Sequence, residues 1–168
     1  MKLIGIHGKK RAGKDTAGKI IQEQLGFKID SFADPLRKFG LMTFGINEEN
    51  REQLIESIGV SGRQVLQLVG TEVGRNINQN FWIEALRFRN PSLENIIITD
   101  VRFNNEAEFI TSNGGKILKI VRPSLESSDN HASEIPIDDK YVDSTIINDS
   151  SIDSYRRSIN EWLNSHTK

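Results

Sequence analysis

The sequence predicts a three-layer α/β protein, a mainly parallel five-stranded sheet with helices on both faces. Three observations carry that prediction. Five short apolar runs recur along the chain, helical periodicity fills most of the intervals between them, and a glycine-rich turn joins the first run to the first helix. At 168 residues the chain fits one domain with a sizeable core, and no Pro/Gly/Ser-rich stretch or composition shift divides it.

The runs are Lys2–His7, Lys28–Phe32, Asn95–Thr99, Lys116–Val121 and Ser144–Ile147. Directly after the first comes Gly8-Lys9-Lys10-Arg11-Ala12-Gly13-Lys14-Asp15-Thr16, then an expected helix from Thr16 to Leu25. Two glycines five apart followed by a lysine, between a buried strand and a helix start, aim several backbone N–H groups at one point where an anion fits. The segment therefore reads as a phosphate-binding loop, with a basic surface turn as the bland alternative. In the plain motif a hydroxyl follows the lysine and ligates Mg²⁺. Here that hydroxyl arrives one place later, at Thr16, and Asp15 stands where it could bind the ion directly or through water.

After the second run, Asp34-Pro35-Leu36-Arg37 places an acid and a base at the carboxyl end of a strand, where an open parallel sheet binds ligands. Asp34 equally suits a helix N-cap with Pro35 at the first position. From Asp34 to Asn90 an insertion shows the periodicity of several helices and no strand signal, a place to hold a second substrate. Within it Ser61 can cap a helix from about Gly62 to Asn78. At 100° per residue Arg63, Gln67, Gly70, Thr71 and Gly74 share one face of that helix. Its two glycines, each costing about 1 kcal/mol relative to alanine, either admit a neighbouring helix or leave room for a ligand. Arg75 offers a further cation, and Trp82 either stacks on a base or belongs to the core.

The third run continues into Asp100, the pattern that supplies an Mg²⁺ ligand beside a phosphate loop. Arg102 and Glu106 follow at helical spacing, as an ion pair that orients the arginine towards a phosphate or as an ordinary helix-start pair. After the fourth run, Arg122 to Asp143 is rich in Ser, Asp, Glu and Pro and reads as a lid or a long surface loop, with Arg122 at its root and His131 inside it.

The 22 basic and 23 acidic residues balance to a net charge of −1, which gives no support to a nucleic-acid or membrane-surface role. There is no cysteine, so disulfides and cysteine-based zinc sites are excluded. No segment approaches the ~20 apolar residues of a membrane span, and the apolar run before Gly8 is too short for a signal-peptide core. A soluble cytoplasmic protein is expected.

With Gly13-Lys14-Asp15-Thr16, Ser31-Phe32-Ala33-Asp34-Pro35-Leu36, Gly70-Thr71-Glu72-Val73-Gly74-Arg75, Asp100-Val101-Arg102-Phe103-Asn104-Asn105-Glu106-Ala107 and His131-Ala132-Ser133-Glu134 in this order, the chain resembles deoxynucleoside monophosphate kinases of the bacteriophage type, from Met1 to about Trp162. The resemblance implies the P-loop kinase fold with a helical substrate-binding insertion and a short lid. It implies ATP with Mg²⁺ as donor and a deoxynucleoside monophosphate as acceptor. By the same resemblance the segment from Gly8 to Thr16 would bind ATP, Asp15, Thr16 and Asp100 would serve the metal, Lys14, Asp100, Arg102 and Glu106 would act at the transfer site, and Arg63, Gln67, Gly70, Thr71, Arg75 and Trp82, with Arg102 and Glu106, would hold the acceptor. From their places at a strand's carboxyl end and at the root of the lid, Asp34 and Arg37 are expected beside the acceptor and Arg122 at the transferring phosphoryl group. Ala12 departs from the serine or glycine frequent before the second loop glycine, which removes a possible donor and leaves the backbone cradle. Small nucleotides are the expected partners, neither nucleic acid nor membrane, with a homodimer left open. Two other readings share these features: a kinase of another small phosphorylated substrate, of the phosphomevalonate type, and a non-catalytic nucleotide-binding protein.

Overall fold

The computed structural model describes residues 2–125 and 136–166. In chain order the elements are β1 (Leu3–His7), α1 (Lys14–Leu25), β2 (Lys28–Asp30), α2 (Asp34–Phe44), β3 (Leu54–Ile55), β4 (Val60–Ser61), α3 (Gly62–Gln67), a π-helical turn (Leu68–Val73), α4 (Gly74–Ile77), α5 (Phe81–Arg89), β5 (Ile96–Val101), α6 (Asn104–Ser112), β6 (Lys116–Val121), a 3-10 turn (Asp139–Tyr141), β7 (Ser144–Ile147) and α7 (Ile152–His166). They fall into two compact units, Met1–Ser31 with Asn90–Lys168, and Phe32–Arg89.

The first unit carries a five-stranded sheet in the order β2-β5-β1-β6-β7, every neighbouring pair parallel. All five apolar runs form its strands, with β2 ending at Asp30 and β5 running on to Val101, so that Asp100 lies within a strand. Because the sheet is parallel, every strand ends at the same edge, and β1, buried along its whole length, delivers the glycine-rich turn to the middle of that edge. Side chains alternate across the sheet. Ile4, Ile6, Ile97, Leu118 and Ile120 join Ile20 and Ile21 of α1 and Ile159 and Leu163 of α7 in one cluster. On the other face Gly5 lets α6 approach, a Cβ there standing 2.8 Å from Ile110 Cδ1. The buried residues of α7, Tyr155, Ile159, Trp162 and Leu163, recur at i, i+4, i+7 and i+8, one helical face turned to this core.

The second unit differs from the sequence reading in two ways. An antiparallel pair, β3 with β4, stands where no strand was expected. Each strand has two residues, too few for an alternating pattern to register, and Gly59 at φ 71° makes the turn between them. The helix from Gly62 does run to Ile77, capped by Ser61 Oγ accepting from Gln64 N with Gln64 Oε1 reaching back to Ser61 N, but it does not keep 100° per residue. The π-helical turn widens it between Leu68 and Val73, so Arg63 and Gln67 precede the wide turn while Gly70 and Thr71 sit inside it.

Of the segment from Arg122 to Asp143 expected as a lid, residues 126–135, His131 among them, lie outside the described residues. Both described flanks are packed: Leu125 lies against the α1/α7 core, and Ile137 is buried. Among the described residues no helix is long and apolar enough to cross a membrane.

Candidate active site

The turn between β1 and α1 takes backbone conformations that few residues adopt. Gly8 has φ 153°, Arg11 65° and Gly13 106°. At Gly8 a Cβ would collide with the Ile120 carbonyl, and at Gly13 it would stand 2.5 Å from Asn148 Nδ2. Both glycines are therefore demanded by conformation and by space together. Gly13 is the N-cap of α1 and gives no side-chain cap, so the helix's first N–H groups and the positive end of its dipole face the turn, where an anion is favoured. Lys14 Nζ folds over the turn and donates to Lys9 O at 2.8 Å.

A cleft of about 650 Å³ opens beside this turn. Arg11, Gly13, Lys14, Asp15, Thr16 and Arg122 line it, so the structure brings Arg122, singled out from a distant stretch of sequence, to five residues of the turn. Further lining residues were not foreseen: Asn148, Asp149, Ser150, Ile152 and Tyr155, from the end of β7 and the start of α7. Their position at the carboxyl end of the last apolar run was the available signal.

At the end of β5, Asp100 and Arg102 flank Val101, which pairs with His7, the last residue of β1 before the turn. His7 Nδ1 donates to the Val101 carbonyl at 2.8 Å, since a carbonyl can only accept. Burial first, then the positive charges of Lys119, Lys14 and Arg102, holds the His7 pKa below its usual 6.5; only the bond to Val101 opposes this. A neutral imidazole thus sits among three cations, one of which, Lys119, is paired with Asp139 at 2.7 Å.

Glu106 corrects the sequence reading. Expected as a contact for the acceptor, it is buried at 3% exposure, and its Oε2 accepts from the backbone N–H groups of Arg102 at 2.8 Å and Phe103 at 3.1 Å. It caps the first turn of α6 and fixes the backbone on which Arg102 is mounted. Asp34 is also not an N-cap: Ala33 takes that position, while Asp34 is the first residue of α2 and pairs with Lys38 at 2.9 Å.

In the Phe32–Arg89 unit the two helix glycines are occupied by protein. A Cβ at Gly70 would meet Leu36 Cδ2 at 2.6 Å, and one at Gly74 would meet the Trp82 ring at 3.0 Å. Trp82 Nε1 donates to Gly70 O at 2.6 Å. At both glycines the space is taken by a neighbouring helix, Leu36 from α2 and Trp82 from α5, as one of the two readings of these glycines expects. Arg75 is buried and donates to the Gln79 carbonyl at 3.2 Å, and Arg63 pairs with Glu52 at 3.2 Å. Arg37 is the fourth residue of α2, Gln67 ends α3, and Thr71 is half-buried in the π-helical turn.

The model of the deoxynucleotide monophosphate kinase family matches residues 40–159. A putative deoxynucleotide monophosphate kinase of Acanthamoeba polyphaga mimivirus is 35% identical, the match covering 92% of each chain. The deoxynucleoside-5'-monophosphate kinase of Escherichia phage T5 is 33% identical over 60% of this chain and 44% of its own length. Among solved structures, shikimate kinase from Aquifex aeolicus superposes with a TM-score of 0.58 at 13% identity over 98% of both chains. Dephospho-CoA kinase from Campylobacter jejuni does so at 0.52 and 17% over 97% of this chain and 96% of the other. These two share the fold.

Proposed function

The chain belongs to the deoxynucleotide monophosphate kinase family, and from that membership we infer that it transfers the terminal phosphoryl group of ATP to a deoxynucleoside monophosphate, giving ADP and a deoxynucleoside diphosphate. The observation that carries this is the cleft beside the Gly8–Thr16 turn, with Lys14, Thr16 and Arg122 on its walls. The family match favours a nucleotide acceptor over the phosphomevalonate-type and non-catalytic readings.

Phosphoryl transfer asks for positioning and charge neutralisation more than for covalent chemistry. The N–H groups at the start of α1 bind the donor's phosphates, Lys14 neutralises the outer ones, and Arg102 and Arg122 supply charge at the transferring group. Mg²⁺ takes one or two carboxylates and completes its shell with phosphate oxygens and water. Asp15, Thr16 and Asp100 would hold it, and it would supply positive charge against the phosphates. Arg63, Gln67, Thr71 and Arg75 would hold the acceptor, with Asp34 and Arg37. The reaction would draw on the nucleotide pool of the cytoplasm.

The test is ADP release from ATP and Mg²⁺ across the ribo- and deoxynucleoside monophosphates. Release should require an added monophosphate and stop on chelation of the metal. ADP formation indifferent to every monophosphate would overturn the reading.

A further inference from the structure

Two side chains from the far end of the chain grip the phosphate-binding turn by its carbonyls. Asn148 Nδ2 donates to Ala12 O at 2.9 Å, and the Tyr155 hydroxyl donates to Gly13 O at 3.1 Å. Asn148 is itself held, its own N–H donating to Val121 O at 2.7 Å, next to Arg122. Tyr155 belongs to the α1/α7 core, 2% exposed, and burial pushes its phenol pKa upward, so the hydroxyl keeps its proton and remains a donor.

A trans peptide is planar, with its C=O and N–H pointing to opposite sides. Tying the Ala12 carbonyl therefore sets the direction of the Gly13 N–H, and tying the Gly13 carbonyl sets that of the Lys14 N–H. These are the N-cap and first residues of α1, where backbone N–H groups face the start of the helix. The Gly13 carbonyl also accepts the first helical bond, from Ala17 N at 2.9 Å, so Tyr155 reinforces a tie already made, while Asn148 holds the Ala12–Gly13 peptide, beside a glycine at φ 106°, against a flip that would turn a carbonyl towards the anion in place of an N–H.

We propose that Asn148 and Tyr155 are positioning residues that aim the Gly13 and Lys14 N–H groups at the donor's phosphates by holding the Ala12 and Gly13 carbonyls. The proposal rests on the ATP-dependent reading above and adds residues that act through the backbone.

The experiment uses the full chain with Tyr155→Phe, which keeps the ring in the core, and Asn148→Ala. Binding of MgATP and of inorganic tripolyphosphate is measured by calorimetry, KM is measured for ATP and for the acceptor, and thermal unfolding serves as a fold control. Each variant should weaken ATP and tripolyphosphate by the same factor, roughly 3- to 10-fold for one lost hydrogen bond, and raise the ATP KM while leaving the acceptor KM in place. Loss for ATP alone, with tripolyphosphate unaffected, would show that these residues line the nucleoside end of the cleft, and the proposal would fall. Unchanged affinity for both, or equal rises in both KM values, would leave them as structural residues and overturn it as well. Should tripolyphosphate bind the unsubstituted protein too weakly to measure, the Gly13 and Lys14 amide resonances in the MgADP complex decide: they must shift in both variants. Failure of the unsubstituted protein to bind MgATP would refute the proposed function instead.

Discussion

The indole N–H of Trp82 donates to the Gly70 carbonyl at 2.6 Å while its ring covers Gly74, where a Cβ would lie 3.0 Å from Cζ2 and Nε1. The Trp82 ring is thereby pinned against a helix that has no side chain beneath it. Gly74→Ala gains helix propensity, about 1 kcal/mol, yet forces a ring fixed by its own hydrogen bond to move, so we expect net destabilisation of about 1–3 kcal/mol. Gly70→Ala meets only the end of the Leu36 side chain, which can rotate aside, and should cost less. Urea unfolding of the two variants decides the order; a more stable Gly74→Ala would mean that the Trp82 ring is free to shift.

Lys14→Ala should lower kcat by about 10²–10³-fold, the usual cost of losing one preorganised electrostatic contact at a transition state. Lys14 Nζ donates to the Lys9 carbonyl at the exposed surface of the turn, so circular dichroism and the unfolding midpoint should stay close to those of the parent. A folded variant with unaltered turnover would remove Lys14 from the mechanism.

Arg63→Ala and Arg75→Ala are expected to raise the acceptor KM far more than the ATP KM. They should differ in stability. Arg75 is buried, so its truncation removes packed side-chain volume along with the bond to the Gln79 carbonyl, at a cost of about 1–3 kcal/mol. Arg63, paired with Glu52 nearer the surface, should cost little. Equal effects on both substrates would place these arginines outside the acceptor site.

Stability should fall on acidification below pH 6.5, in part through His7. Its folded pKa is lowered from 6.5 by burial, so below 6.5 the unfolded chain binds a proton that the folded chain refuses. The stability present above pH 6.5 is therefore lost as pH falls towards the folded pKa, with a slope of at most about 1.4 kcal/mol per pH unit from this group. His7→Asn retains a donor for Val101 O and does not titrate. Urea unfolding at pH 7.5, 6.5 and 5.5 should show a shallower loss in this variant than in the parent; identical profiles would exclude His7 as the source.

Sequence by itself determined what depends on near neighbours. The runs that form β1 and β5 marked strands because a parallel strand buried on both faces needs a near-unbroken apolar stretch, and Gly8, Gly13 and Lys14 marked the anion site because turn, glycine conformation and helix start lie within nine residues. Ser61 with Gln64 marked a helix start for the same reason. Only the tertiary structure decided what the glycines of the second unit are for, since the π-helical turn breaks the 100° rule and Trp82 and Leu36 arrive from other helices. It also turned Glu106 inward onto the backbone of Arg102 and Phe103. Asn148 and Tyr155 reach the phosphate-binding turn across 136 and 142 residues of sequence. No local pattern encodes such a contact, because it exists only once β7 has paired with β6 and α7 has packed on α1, bringing both side chains to the edge of the sheet where β1 ends.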